Sequence, residues 1–179
     1  MCCDDPAQMA LGMNVLWFFR GIPVMYAGDE NNLRAGMTPD LAGNNDLVGD
    51  TGRLYIGNDI GTGKDKYGIV AHMADLNAIR KASIAMRRGS MKILNGGDPM
   101  VFERTYESEN AIVAMTGSGG ASVTVSGATD GTYTDLVTGA KYTVSGGSVN
   151  LGSIPAYSAR VLVKNFSGSV PAMKGKFLK

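Results

Sequence analysis

The stretch GIPVMYAGDE, Gly21 to Glu30, places a short apolar run ahead of a glycine and two carboxylates. Val24, Met25 and Tyr26 suit a fully buried strand, Gly28 breaks it, and Asp29 and Glu30 follow at once. Acids at the end of such a strand are a common setting for general acid–base chemistry, of which glycoside hydrolysis is one form. That reaction requires two carboxyl groups about 5 to 9.5 Å apart, on opposite sides of the scissile bond. Neighbours in an extended segment point to opposite faces, so Asp29 and Glu30 do not form such a pair by themselves. A capping or salt-bridging role for Glu30 ranks ahead of catalysis. Use of either acid in a stand-alone glycosidase would need a loop partner such as Asp46, Asp50 or Asp59.

Other chemical patterns fail on spacing. GNDIGTGKD, Gly57 to Asp65, contains GTGK, but Asn58 stands where a phosphate loop has its first glycine and Asp65 where it has Ser or Thr. In NDIGTGKDK, counting from Asp59 puts Val70 where the bidentate Glu of a helix–loop–helix calcium site belongs. Asp46 and Asp59 remain candidates for calcium in an irregular loop, and no other cofactor is expected. His72 is the only histidine and GxSxG is absent, so no Ser-His-Asp set can be built. With Asp75 one turn on, His72 reads as a surface or boundary residue. Cys2 and Cys3 are adjacent and isolated, which supports neither a disulfide framework nor zinc.

The 17 basic and 16 acidic residues leave a net charge of +1, so charge gives no case for nucleic acid or an anionic membrane as partner. A hydrophobic share of 44% suffices for a core. Asp4 and Asp5 stand where a signal peptide would be basic, so no such leader is visible and localisation stays open. The apolar run Val15 to Phe19 is too short to span a bilayer.

The elements that must position these residues fall into three parts. DDPAQMALGMNVLWFFR reads as a helix capped by Asp4 or Asp5, with Pro6 in its first turn and Gly21 at its end. It is apolar nearly all round, which calls for burial on more than one side. A long stretch rich in Gly, Asn and Asp follows from Ala27 to Lys66, then a helix from about Lys66 to Arg88. On that helix Ile69, Met73, Leu76, Ile79 and Met86 approximate one stripe, while Arg80, Lys81, Arg87 and Arg88 face elsewhere or complement the dipole in its last turns. From Met91 the period is two: MKIL, MVFERT, AIVAM, ASVTV, TYTDLV, KYTV, SVNL and ARVLV alternate with Gly-rich turns and predict an antiparallel β-sandwich of about eight strands. The tail FSGSVPAMKGKFLK reads as a linker or frayed end.

GIPVMYAGDE resembles the GxPxIYxGxE motif of the α-amylase family, glycoside hydrolase family 13, with Gly21, Pro23, Tyr26, Gly28 and Glu30 on the pattern. NAIRKASIAMRRGSM is similar to that family's final barrel helix, and TYTDLVTGAKYTVSGGSVNLGSIPAYSARVLV resembles its C-terminal β-sandwich, domain C. The resemblance implies an α+β chain in three parts. Residues 1–90 would be a remnant of a (β/α)8 barrel, with two helices, one buried strand (the eighth) and a long loop. Residues 91–164 would be the sandwich and 165–179 a tail. It also implies action on α-glucans such as starch and maltooligosaccharides, in a family whose members are often secreted. The family's catalytic Asp, Glu and Asp precede the eighth strand, so none has a counterpart here. Tyr26, Asn31, Asn32, Arg34, Asp50 and Arg53 are the implied sugar contacts.

Two alternatives stand beside that reading: the stand-alone glycosidase, and a non-catalytic carbohydrate-binding or assembly module using Tyr106, Tyr133, Tyr142 or Tyr157. The unmatched apolar surface of the first segment predicts a homo-oligomer, a second chain supplying the rest of the barrel, or helices folded back onto the sandwich.

Overall fold

The computed structural model describes residues 5–25, 65 and 67–179. The first helix, α1 (Pro6–Phe18), begins as its sequence dictates: the Asp5 side chain accepts from Ala7 N at 2.8 Å and Pro6 takes the first turn. It ends at Phe18, before Gly21, with Phe19 as its C-cap in an extended conformation. The second helical stretch is two helices, α2 (Ile69–Ala82) and α3 (Ile84–Arg88). Ser83 separates them with φ −125° and ψ 126° and caps α3 by accepting from Met86 N. Glu109 secures this break from the strand layer, accepting from Ser83 Oγ at 2.5 Å and Ala85 N at 2.9 Å.

The strand candidates all materialise: β1 (Ser90–Asn95), β2 (Met100–Tyr106), β3 (Glu109–Met115), β4 (Ala121–Val125), β5 (Gly131–Asp135), β6 (Lys141–Val144), β7 (Val149–Ile154) and β8 (Ala159–Lys164). Six form one sheet in the order β1-β2-β3-β8-β5-β6, and β4 pairs with β7 in a second; every pairing is antiparallel. Among the described residues no closed barrel forms, and the chain is α+β, with three helices beside eight antiparallel strands.

The large sheet is buried on both faces. Period-two alternation sends Val101, Ile112, Ala114 and Leu162 toward β4 and β7, where they meet Val123, Val125, Leu151 and Ile154. Phe102, Ala111, Val113, Val161 and Val163 face the other way and pack against Met9, Met13, Trp17 and Phe18 of α1 and Leu76, Ile79 and Met86 of α2 and α3. The molecule is therefore helix layer, sheet, sheet. The apolar helix faces are covered by packing onto the sandwich.

Two expectations need correction. Residues 22–25 have no strand partner, and Ile22 and Val24 are 87% and 76% exposed. Pro23 and Met25 are half-buried between them, so the segment alternates like a strand. It is not buried, because no neighbouring strand among the described residues covers its outer side. The tail is not frayed: Leu178 is buried, and Asp75 accepts from Lys174 N and Gly175 N at 2.7 Å each. The Lys179 backbone also donates to Ser158 Oγ and accepts from Arg160. This strap covers His72, which is buried rather than superficial. No helix among the described residues is long and apolar enough to cross a membrane.

Candidate functional site

Asp29 and Glu30 lie outside the described residues, as do Tyr26, Asn31, Asn32, Arg34, Asp50 and Arg53, and the calcium candidates Asp46 and Asp59. The structure does place the root of their segment, where α1 hands over to residues 22–25. Phe18 is buried, and Phe19 stands edge-on to Phe102 with ring centroids 5.3 Å apart. Two arginines from different layers grip this turn by its carbonyls. Arg80 of α2 donates to Trp17 O and, at 3.0 Å, to Gly21 O. Arg104 of β2 donates to Phe18 O at 2.7 Å. Gly21 turns the chain with φ 125°, a conformation that other residues rarely adopt.

Arg104 is also the centre of a wider arrangement. It is 1% exposed and donates to Gly89 O and Ser90 O as well, which ties the end of α3 to the end of α1. The period of β2 puts it there: Phe102 and Arg104 share the helix-facing side, and Phe102 packs while Arg104 takes up carbonyls that helix ends leave unpaired. Sequence reasoning assigned Arg104 only to a strand. The available signal was a cation at a helix-facing strand position beside two helix termini.

Around it opens a cavity of about 420 Å³ lined by Arg20, Gly21, Ile22, Arg80, Arg87, Arg88, Gly89 and Arg104. Five guanidinium groups meet there, and among the described residues no carboxylate contributes to the wall. Burial, then Arg80 and Arg20, pull Arg104 down to about 10; burial and then Arg87 lower Arg80. Both remain cationic near neutrality. Such a wall attracts and orients negative charge, but it holds no acid or base with which to move a proton.

Apart from Glu107, exposed in the turn between β2 and β3, the carboxylates that are described serve the fold. Asp65 accepts from Val70 N and Ala71 N at the start of α2, and Asp75 holds the tail. Asp98 accepts from Gly117 N, Asp130 from Gly146 N and Gly147 N, and Glu103 from Asn110 and Thr129 N. Asp135, fully buried, accepts from Val137 N, Val161 N and Thr138 Oγ1 and lies 3.4 Å from Arg160 Nε. Among the described residues no three His, Cys, Asp or Glu side chains gather as metal ligands. Among the described residues the tyrosines give no exposed pair for sugar stacking. Tyr133 is in the core with its hydroxyl donating to Thr129 O, and Tyr106 and Tyr142 pack against the two clusters. Tyr157 is half-buried in a turn at φ 55°.

No protein-family model and no curated protein matches the chain. Solved structures do. An α-amylase from Anoxybacillus is 26% identical with a TM-score of 0.65, over 91% of this chain and 33% of its own length. An α-amylase from Geobacillus thermoleovorans, complexed with acarbose, is 20% identical with a TM-score of 0.67, over 91% and 34%. A Nostoc punctiforme debranching enzyme is 24% identical with a TM-score of 0.61, over 88% and 31%. The chain thus spans about a third of the length of the structures it matches. The helices that lead into and away from the GIPVMYAGDE segment, together with the sandwich behind them, give this chain the fold of a partial, C-terminal-type segment of these α-amylase structures.

Proposed function

We propose that this chain is a contributing part of an α-amylase-type glycoside hydrolase acting on α-glucans, and that it has no hydrolytic turnover of its own. The observation that carries the reading is the fold match over about nine-tenths of this chain with only a third of each enzyme. The described carboxylates add support, since Asp65, Asp75, Asp98, Glu103, Glu109, Asp130 and Asp135 are all engaged by the protein's own donors. Glycoside chemistry requires one carboxyl free to protonate the leaving oxygen and another aimed at the anomeric carbon or its water. The chain's part is then to carry the GIPVMYAGDE segment on a rigid base, with sugar contacts from Tyr26, Asn31, Asn32, Arg34, Asp50 or Arg53. The bare side of that segment, Ile22 and Val24, is where the remainder of a barrel would pair.

Incubation of the purified chain with soluble starch and with a chromogenic maltoside is expected to release no sugar above the buffer background. Reproducible turnover that disappears in both Asp29→Asn and Glu30→Gln would replace this reading with that of a stand-alone glycosidase.

A further inference from the structure

Carrying the GIPVMYAGDE segment accounts for only two of the cavity's five arginines. Arg80 and Arg104 are committed to backbone carbonyls at the helix ends. Arg87 makes a single long bond, from Nε to Ser83 O at 3.4 Å. Arg20 and Arg88 are exposed and have no hydrogen-bond or ion-pair partner among the described residues. The carbonyl ends of α1, α2 and α3 do not balance this charge. Each counts for at most roughly half a negative charge, so together they offset about one and a half of five positives. A surplus of at least about three and a half charges sits in one concavity of a chain whose net charge is +1.

Geometry favours one class of ligand. A guanidinium presents its N–H groups as a planar fork that matches phosphate oxygens, two bonds at a time. Arg80 and Arg104, held in place by carbonyls, add fixed positive charge, and Arg20 and Arg88 supply the uncommitted N–H groups. A volume of about 420 Å³ falls within the small-molecule range and is wide enough for more than a bare ion. The cavity opens at Gly21 and Ile22, where the GIPVMYAGDE segment begins. In a (β/α)8 barrel the catalytic face is at the opposite, C-terminal ends of the strands.

We propose that this cavity is a binding site for a phosphoryl group, either as free phosphate or as the monoester of a small sugar. The site binds without chemistry: no group in its wall exchanges a proton near neutral pH. It is independent of the glycosidase reading, and either can fail alone.

The test is calorimetric titration of the whole chain with inorganic phosphate, at an ionic strength held constant with sodium chloride. A hexose monophosphate and the unphosphorylated hexose form the second and third arms. Saturable binding of phosphate or of the ester is expected, with none of the neutral sugar; the tighter of the two ligands identifies the source. The double variant Arg20→Gln/Arg88→Gln removes two cations with no described bond to the fold, and it is expected to weaken binding by about tenfold or more. Its circular dichroism should match the parent's, which separates lost binding from lost structure. Heat effects no larger than those of added chloride, or unchanged affinity in the folded double variant, would overturn the proposal.

Discussion

His72 is wholly buried, with Nε2 donating to Ala10 O at 3.1 Å and Nδ1 without a partner. The Phe177 ring stands edge-on to it at 5.5 Å. Burial disfavours the imidazolium, and the Ala10 carbonyl and Asp75 only partly offset this, so its pKa falls below 6.5 in the folded state. Between that lowered value and 6.5 the unfolded chain binds a proton that the folded chain refuses. Acidification through this window therefore favours unfolding, and the stability present above pH 6.5 is lost as pH falls. Thermal unfolding should show Tm decreasing from about pH 7 to about pH 5.5, with a shallower slope in His72→Gln, which keeps a donor for Ala10 O. Equal slopes in the two proteins would remove His72 from the account. The sequence placed this residue at the boundary because its own helix offers only Asp75 as company. Its burial comes from Phe177, more than a hundred residues on, and nothing local encodes that.

At the scale of elements, the sequence spoke clearly where period and turns agreed. ASVTV and KYTV are strands over the residues read for them, and the other strands differ only at their ends. The helix from Lys66 to Arg88 was read as unbroken because Ser83 does not stop a helix by propensity alone. It stops this one because Glu109, on a distant hairpin, holds Ser83 Oγ and Ala85 N. The tail was misread for a related reason: it has no repeating hydrophobic pattern, and it is held by single anchors instead. Asp75 grips two consecutive backbone amides, and a Cβ added at Gly175 would lie 2.9 Å from Asp75 Oδ2 and 3.1 Å from His72 Cα. Only glycine passes there. Hydrogen bonds to a charged group contribute about 1.5–3 kcal/mol, so Asp75→Ala should raise the open population of the strap by tenfold or more. Limited trypsin digestion reads this directly, as faster cleavage after Lys174 and Lys176 in the variant. Unchanged cleavage rates would mean that Leu178 alone secures the tail.

For the molecule as a whole, the change from helices to strands near residue 90 is not a gap in the core. Phe18, Ile79 and Met86 share one apolar cluster with Phe102, Val113 and Val161, and the same sheet bears the second cluster on its reverse face. A domain boundary falls where few contacts cross, whereas this one is crossed by packed side chains, by Arg104 bonded to Phe18 O and by Glu109 bonded to Ser83. Removing either layer would strip cover from the large sheet. The helix layer and the sandwich should therefore unfold together. Trp17, the only tryptophan, reports on the helix layer, being buried and donating to Asn77 Oδ1 at 2.8 Å. Far-ultraviolet circular dichroism near the β minimum reports mainly on the strands. In urea the two signals should trace one transition with a common midpoint. Phe18→Ala, which empties a fully buried site between α1 and the sheet, should lower both midpoints together, at a cost of about 3–5 kcal/mol. A fluorescence transition preceding the dichroism change would show residues 1–90 and 91–164 behaving as separate units. The helix layer would then not borrow its stability from the sandwich as its floor.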